Sequence, residues 1–243
     1  MNLILYTILL AFFLMGGFGI FLTNGKKNEA DKKKNWLKYT TYFFIVNILI
    51  GTIIFCEKAF PYLGIILILF GYFEIINLQM IKKQLEPLLF CSIIISYTVI
   101  SYCFYLFSHA TQGLLLFTLF VVCVFDAFCQ ISGQLFGKRK IFSKISPNKT
   151  YEGLIGGTIM SVGTACFIGR LTGIYLSESI ILSLGICCFS FLGDLLASWV
   201  KRKYNVKDFS TFLPGHGGFL DRFDSLLSAG GFVYLFNSFS KWL

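Results

Sequence analysis

The residues from Ser198 to Asp224 combine charges that are unusual beside membrane-type apolar sequence. The segment reads S-W-V-K-R-K-Y-N-V-K-D-F-S-T-F-L-P-G-H-G-G-F-L-D-R-F-D and lies between two apolar runs, with Asp194 inside the first run. A carboxylate at the boundary between hydrocarbon and water is energetically costly unless it binds an ion or another ligand. Mg²⁺ suits such a group, because it is typically bound by one or two carboxylates together with phosphate oxygens and water. The segment therefore predicts chemistry on a phosphorylated substrate at a membrane surface.

Helical spacing predicts two carboxylate-bearing faces on either side of a turn. Asp194, Ser198 and Lys201 follow one another at spacings of four and three and share one face of a helix. Asp221 and Asp224 are three residues apart and share a face if D-R-F-D begins the next helix. We predict that Asp194 and Asp221 hold Mg²⁺, with Asp224 as a further ligand.

Ion pairing is the alternative interpretation of these carboxylates. Pairs with Lys201, Arg202 or Arg222 could account for Asp208 and Asp224. They suit Asp194 less well, because that residue lies about two turns inside the apolar run. The turn between the two faces contains Pro214, three glycines and His216, for which a structural and a catalytic role are equally compatible with the sequence.

A second polar block lies upstream. Asp126 stands about ten residues before a basic loop, deep in an apolar run, where an ionised side chain costs on the order of 2.5–3.5 kcal/mol. It either faces a cation or substrate hydroxyl, which we favour, or makes an interhelical hydrogen bond. Beyond the loop, Thr150 and Glu152 resemble a helix start, and Lys144 and Lys149 beside it would form a phosphate cradle. An ordinary basic loop with a helix cap explains the same residues.

Composition places these blocks in a polytopic membrane protein. Of the 243 residues, 56% are hydrophobic and only 14% are charged, and the mean hydropathy is +0.74. Continuous apolar windows predict an all-α fold with roughly eight transmembrane helices. The windows lie at about residues 2–22, 39–56, 61–80, 88–107, 113–135, 154–177, 179–200 and 225–239. We expect one transmembrane domain over residues 1–243, in which residues 113–239 carry the catalytic blocks.

The basic residues predict the orientation. The connections at 23–38, 81–87, 136–153 and 201–224 carry 18 of the 21 Lys and Arg residues. This bias is typical of cytoplasmic loops and predicts an active site near the cytoplasmic face. It also accounts for most of the net charge of +9, so no nucleic-acid partner is needed. The eight cysteines lie in or beside apolar windows without a C-x-x-C pair, so neither a zinc site nor a disulfide framework is predicted.

The two blocks together resemble a known family. Ser198 to Asp224 is similar, at every constrained position, to the signature of the phosphatidate cytidylyltransferases, also called CDP-diacylglycerol synthases. D-x(6)-G-x(3)-F-G-K and S-P-N-K-T-x-E-G-x(2)-G-G, between Asp126 and Gly157, resemble a second family block. The resemblance covers about the C-terminal half of the chain. Cys129-Gln130 departs from the Ala-Tyr that many members carry after the intramembrane aspartate.

The resemblance implies a reaction of CTP with phosphatidate that gives CDP-diacylglycerol and pyrophosphate and requires Mg²⁺, with a second cation left open. It implies a metal centre at Asp194 and Asp221, to which we add Asp224. Cationic side chains would bind the phosphates of CTP and phosphatidate, and Ser198 would donate a hydrogen bond near the metal. These cations are Lys144, Lys149, Lys201, Arg202, Lys207 and Arg222. On this basis Asp221→Asn should abolish turnover and leave the protein folded. A homodimer and a location in a bacterial inner membrane are further expectations.

Two other functions stay open from the sequence. A CTP-dependent polyprenol or dolichol kinase has a distantly similar C-terminal pattern, but it needs a base for a neutral hydroxyl, for which Asp208 or His216 could serve. An ion-coupled transporter could use Asp126, Asp194 and Glu74 as a relay. The polar residues cluster towards one face of the predicted bundle, which disfavours transport.

Overall fold

Long helices account for most of the chain in the computed structural model, which describes residues 28–82, 85–213 and 217–240 together with positions 6, 7, 10, 13, 14, 17, 21 and 25. Within residues 28–240 the described helices are α1 (Glu29–Phe55), α2 (Phe60–Lys82), α3 (Pro87–Phe107), α4 (Gln112–Phe136), α5 (Tyr151–Thr172), α6 (Leu176–Lys203) and α7 (Leu220–Ser240). A short 3₁₀ turn, Glu57–Ala59, joins α1 to α2.

These helices correspond to seven of the eight predicted windows, and the window at 2–22 falls mostly outside the described residues. Several helices extend beyond their apolar windows. For example, α1 begins at Glu29, ten residues before its window, and a Lys32–Glu29 ion pair of 2.7 Å lies in its polar first turns. Among the described helices, α1 to α6 contain segments long and apolar enough to cross a membrane. The chain is therefore an α-helical membrane protein, and the count of eight spans stays a prediction.

The connection between α4 and α5 contains strand structure that the all-α expectation did not include. Strands β1 (Lys140–Phe142) and β2 (Ser146–Thr150) pair as an antiparallel hairpin, with Phe142 opposite Ser146. The predicted helix start after the hairpin is confirmed, because the Thr150 hydroxyl accepts a 3.1 Å hydrogen bond from the Gly153 N–H and α5 begins at Tyr151. Glu152 accepts hydrogen bonds from the backbone N–H groups of Lys138 and Arg139, at 3.1 and 3.2 Å. These bonds hold the first turn of α5 against the residues that directly follow α4.

Glycines set the close approach of α4 and α5. A Cβ atom built on Gly157 would lie 3.0 Å from both the Cys129 nitrogen and the Phe125 oxygen, and one on Gly153 would lie 2.7 Å from the Cys129 oxygen. No side chain fits between the two backbones at these positions. Gly133 faces the Thr150 hydroxyl from the α4 side.

Helix α7 occupies the centre of the described bundle. Every residue from Phe223 to Gly231 is buried, and the helix packs against α3, α4 and α6 and touches α2. It contains Asp221, Asp224, Ser225 and Ser228, so its polar residues face other helices. Helix α7 is surrounded by other helices and is not among the six candidate membrane spans of the described residues.

The α4–α5 contact gives a test with a matched control on one helix. Gly157→Ala is expected to destabilise the protein by about 1–3 kcal/mol, because the added methyl group forces two backbones apart. Gly163→Ala should be neutral or slightly stabilising, because a Cβ at Gly163 meets no atom within 4 Å and alanine favours helix. Thermal unfolding of the purified variants in detergent measures both. Equal unfolding midpoints for the two variants would contradict the described packing.

Candidate active site

Three carboxylates from three helices approach one another at one end of the bundle. Asp126 of α4, Asp194 of α6 and Asp224 of α7 lie close enough for each charge to act on the other two. Asp224 is buried, whereas the Asp194 side chain keeps 39% of its surface exposed. Like charges this close repel one another, and α7 is surrounded by apolar side chains. The arrangement therefore calls for cationic partners.

The contact of α6 with α7 brings Asp194 and Asp224 together. A Cβ atom on Gly193 would lie 2.7 Å from the Asp224 carbonyl oxygen and 2.6 Å from the Cβ of Ser228. The residue before Asp194 must therefore be a glycine for the helices to meet at this distance. The carboxylate pair is a consequence of backbone packing.

Asp126 joins this group through α7. The Ser225 side chain lies near its carboxylate, and Lys149 and Arg222 contribute favourable charges. Asp126 is an exposed residue, which leaves room for a ligand. The interhelical hydrogen bond considered from the sequence stays a prediction.

Lys149 pairs with Asp194. Its Nζ lies 2.8 Å from the Asp194 Oδ2 and 4.3 Å from the centre of the Phe191 ring. Ser198 donates a 3.3 Å hydrogen bond to the Asp194 Oδ1, which confirms the predicted shared face. The ion-pair alternative thus holds in part for Asp194. Its partner comes from β2 and not from the Lys-Arg run at the end of α6.

Asp221 has a different environment. Its Oδ1 accepts a hydrogen bond of 2.5 Å from Lys201 Nζ in an ion pair whose side chains are 10% and 3% exposed. Its Oδ2 accepts hydrogen bonds from the backbone N–H groups of Phe209 and Gly218, at 3.0 and 2.8 Å. Both oxygens are therefore engaged in fixing the connection between α6 and α7.

Gly217 and Gly218 are required for that connection. Gly217 has a φ of 83°, a left-handed conformation that favours glycine. A Cβ on Gly218 would lie 2.8 Å from the Asp221 Oδ2, so a side chain there would displace the carboxylate. Predicted site residue His216 lies outside the described residues, as does Pro214.

The remaining predicted cations surround this region at the surface. Arg202 donates hydrogen bonds to the carbonyl oxygens of Ile145 and Val206, at 3.1 and 2.8 Å, and so ties the hairpin to the end of α6. Lys144 is exposed at the hairpin tip, and Lys207 is exposed after α6. Arg222 is exposed, and its charge acts on Asp126. The structure thus places Lys149 and Lys201 at the carboxylates and the other cations around them.

The carboxylate ligands near Asp194 indicate whether a divalent cation fits the site. Within the described ranges, no three His, Cys, Asp or Glu side chains converge closely enough to hold one ion by themselves. Asp126, Asp194 and Asp224 nevertheless combine three formal negative charges, and Lys149 forms an ion pair with one of them. Mg²⁺ needs only one or two of these carboxylates when substrate phosphates complete its shell. The partly exposed Asp194, with Asp224 and Asp126 near it, therefore suits such an ion better than Asp221, which is buried and bonded to Lys201 and two backbone N–H groups.

An apolar cavity of about 290 Å³ adjoins Asp224. Helices α2, α3, α6 and α7 line it, and its wall includes Ile93, Ile100, Leu196 and Leu227. The cavity has mostly apolar walls, with the buried carboxylate on one side. A molecule with a polar head and hydrocarbon chains matches this combination.

Two polar contacts near the site were not predicted from the sequence. Glu74, which the sequence interpretation used only in the transporter alternative, hydrogen-bonds to Ser210 and to the start of α7. Tyr204 donates a 2.7 Å hydrogen bond to Gln79, and burial raises the pKa of Tyr204. In the sequence, a single glutamate inside an apolar window is the only indication of the Glu74 contacts. Nothing in the sequence indicates the contact of Tyr204 with Gln79.

The buried Lys201–Asp221 pair gives a prediction about stability. Lys201→Met should destabilise the protein by about 3–5 kcal/mol, because it leaves an unpaired buried carboxylate. Asp221→Asn should also destabilise it, in contrast to the sequence-based expectation of an unperturbed fold. The double variant should be less destabilised than the sum of the two, which chemical unfolding of the purified variants measures. Lys203→Met, an exposed position one residue beyond Arg202, serves as the control, and simple additivity would contradict the pair.

Comparisons with known proteins identify the family. The family model described as "Cytidylyltransferase family" matches residues 2–240. A phosphatidate cytidylyltransferase of Staphylococcus saprophyticus is 42% identical over 142 residues, 57% of this chain and 54% of the relative. One of Haemophilus influenzae is 42% identical over 132 residues, 52% of this chain and 46% of the relative. The chain spans about half the length of the curated relatives it matches.

The family model matches nearly the whole chain, and α4, α6, α7 and β2 bring acidic and basic residues together. The chain belongs to the cytidylyltransferase family.

Proposed function

We propose that the protein transfers the cytidylyl group of CTP to phosphatidate and forms CDP-diacylglycerol and pyrophosphate. The observation that carries the proposal is the group of three carboxylates from α4, α6 and α7 beside Lys149, next to an apolar cavity. Relatives at 36–42% identity are named phosphatidate cytidylyltransferase, which supports the same substrates.

The reaction needs charge neutralisation more than proton transfer. A phosphate oxygen of phosphatidate attacks the α-phosphorus of CTP, a new P–O bond forms, and the bond from that phosphorus to the pyrophosphate oxygen breaks. The attacking phosphate is already ionised at neutral pH, so the site does not require a strong base. Positioning and electrostatic stabilisation therefore supply most of the catalysis.

We assign the metal to Asp194 and Asp224, with Asp126 as a further ligand or a substrate contact. When bound, Mg²⁺ would neutralise phosphate charge and stabilise the pyrophosphate leaving group. Lys149 would pass from Asp194 to a substrate phosphate, and Ser198 would keep its hydrogen bond to Asp194. Lys201 and Asp221 would hold the connection after α6, and the exposed Lys144, Arg202, Lys207 and Arg222 would attract the two polyanions. A second cation stays an open part of the proposal.

The lipid would enter from the membrane. The cavity beside Asp224 would accommodate the hydrocarbon next to the phosphate. The excess of Lys and Arg in the loops supports a site on the cytoplasmic side of a bacterial inner membrane. Eight membrane spans, a single domain with the catalytic blocks at 113–239 and a homodimer belong to the same proposal. CTP and phosphatidate are its only required partners, and nucleic acid has no role in it.

Product analysis tests the reaction. Purified protein in detergent receives labelled CTP, Mg²⁺ and either phosphatidate or a polyprenol, with EDTA controls. We expect a CDP-lipid that forms only with phosphatidate and only with Mg²⁺. Phosphoryl transfer to the polyprenol would instead indicate the lipid kinase, and no nucleotide-dependent product from either lipid would overturn the proposal.

The assignment of Asp224 gives a residue-level prediction. Asp224→Asn should lower kcat on the order of 10²-fold or more, because it removes a carboxylate that would hold the Mg²⁺ that stabilises the leaving group. Glu178→Gln is the control, since Glu178 is an exposed carboxylate in the first turn of α6, away from Asp194 near its other end. Initial rates at saturating CTP measure both variants. Near-normal turnover by folded Asp224→Asn would remove Asp224 from the site.

A further inference from the structure

Glu74 is a buried carboxylate in the middle of an apolar helix and contacts none of the three carboxylates of the site directly. It is 2% exposed on α2. Its Oε1 accepts hydrogen bonds from the Ser210 hydroxyl at 2.5 Å and from the Phe219 N–H at 2.7 Å. Its Oε2 accepts a 2.7 Å hydrogen bond from the Leu220 N–H. All three donors belong to the connection between α6 and α7 or to the first residue of α7.

A carboxylate is the group that suits this position. Among the described residues, the ion pairs involve side chains other than Glu74. Its hydrogen-bond donors are therefore backbone N–H groups and a hydroxyl, not a cation. The first N–H groups of a helix have no partner within it, and the helix N-terminus favours negative charge. Glu74 satisfies two such groups of α7 from a distant helix. A glutamine side chain has only one acceptor oxygen. Its NH₂ group would face a backbone N–H group, which is also a donor.

Helix α2 also holds the other end of the same connection. Tyr204, which follows α6 directly and is fully buried, donates its hydrogen bond to Gln79. The Phe70 ring stacks on Phe219 with ring centres 4.8 Å apart. Three positions on α2 therefore fix where α6 ends and where α7 begins.

The contacts of Glu74 and Asp221 meet around a single residue. A Cβ on Gly218 would lie 2.8 Å from the Asp221 carboxylate and 3.0 Å from the Glu74 carboxylate. Asp221 binds the N–H of Gly218, and Glu74 binds the next two N–H groups along the chain. Asp224 lies one turn of α7 beyond Leu220. The position of Leu220 thus sets the position of Asp224 relative to Asp194.

We infer that Glu74 is a positioning residue for the transfer reaction: it fixes the start of α7 and thereby the distance between Asp224 and Asp194. The inference rests on the proposed function for its kinetic consequence, but the structural contact stands independently of it. A misplacement of about 1 Å in a reacting geometry can cost on the order of 10²-fold in rate. Loss of Glu74 therefore reduces kcat without removing any group that contacts substrate.

Amide hydrogen exchange tests the contact without any assay of activity. The full-length protein in detergent is compared with Glu74→Gln and with Tyr72→Phe, which removes a hydrogen bond from α2 to Thr98 on α3. We expect at least tenfold faster exchange at Phe219 and Leu220 in Glu74→Gln and unchanged exchange there in Tyr72→Phe. Wild-type exchange at both amides in Glu74→Gln would overturn the inference.

Kinetics of the same proteins separate positioning from a merely structural role. At a temperature well below every unfolding midpoint, Glu74→Gln should lose on the order of 30- to 100-fold in kcat, with a several-fold rise in the Mg²⁺ concentration for half-maximal rate. Ser210→Ala should lose less, because it removes one donor of three, and Tyr72→Phe should match wild type. Wild-type kcat in folded Glu74→Gln, together with faster exchange, would reduce Glu74 to a structural contact and overturn the inference. Lack of phosphatidate-dependent turnover by the wild type would instead count against the proposed function alone.

Discussion

The close contact of α6 with α7 at Gly193 is the constraint on which the site depends. Because no side chain fits between Gly193 and the Asp224 carbonyl, the two helix backbones approach and carry Asp194 and Asp224 towards each other. Asp126 of α4 lies near the same turn of α7, close to Ser225. The resulting negative charge lies in a protein of low charge content and is only partly offset by Lys149. A site with this imbalance is suited to recruit cations together with phosphates.

The carboxylates near the connection between α6 and α7 have two different environments. The oxygens of Asp221 and Glu74 bond to Lys201 of α6, to donors of the connection between α6 and α7, and to the first residue of α7. Asp194 keeps an exposed surface, Asp126 is an exposed residue, and the Asp224 carboxylate accepts a hydrogen bond from the Ser225 N–H. Carboxylates that bond to several buried protein donors stabilise backbone geometry, whereas those with fewer such donors can also bind ligands. The structure therefore separates residues that shape the site from residues available to substrate.

Much of this organisation was predictable from the sequence, for identifiable reasons. Continuous apolar runs determined the helices, the i, i+4 spacing placed Ser198 on Asp194, and the Thr150 cap located the start of α5. The hairpin before α5 was not predicted, because its strands contain three and five residues and lack an alternating apolar pattern. The partners of Lys149 and Glu74 were not predictable either. Those contacts depend on which helices become neighbours, and a single sequence records side-chain spacing only within each helix.

The role of Asp221 shows the same limit. Its spacing from Asp224 was compatible with a shared metal site, and the sequence could not reveal that Lys201 and two backbone N–H groups would take up its oxygens. Long-range pairing of an acid on one helix with a base twenty residues earlier follows from the path of the intervening connection. Glycines in that connection indicate a tight turn but not its partners.

The central claim is that the carboxylates of α6 and α7 bind the metal–nucleotide substrate, and equilibrium binding of labelled CTP tests it most directly. Purified wild type and the Asp194→Asn/Asp224→Asn double variant are titrated with CTP in Mg²⁺ and in EDTA, without lipid. The account predicts that Mg²⁺ strengthens CTP binding to the wild type and leaves binding to a folded double variant unchanged. Equal strengthening by Mg²⁺ in both proteins would contradict it and would place the metal–nucleotide complex elsewhere in the molecule.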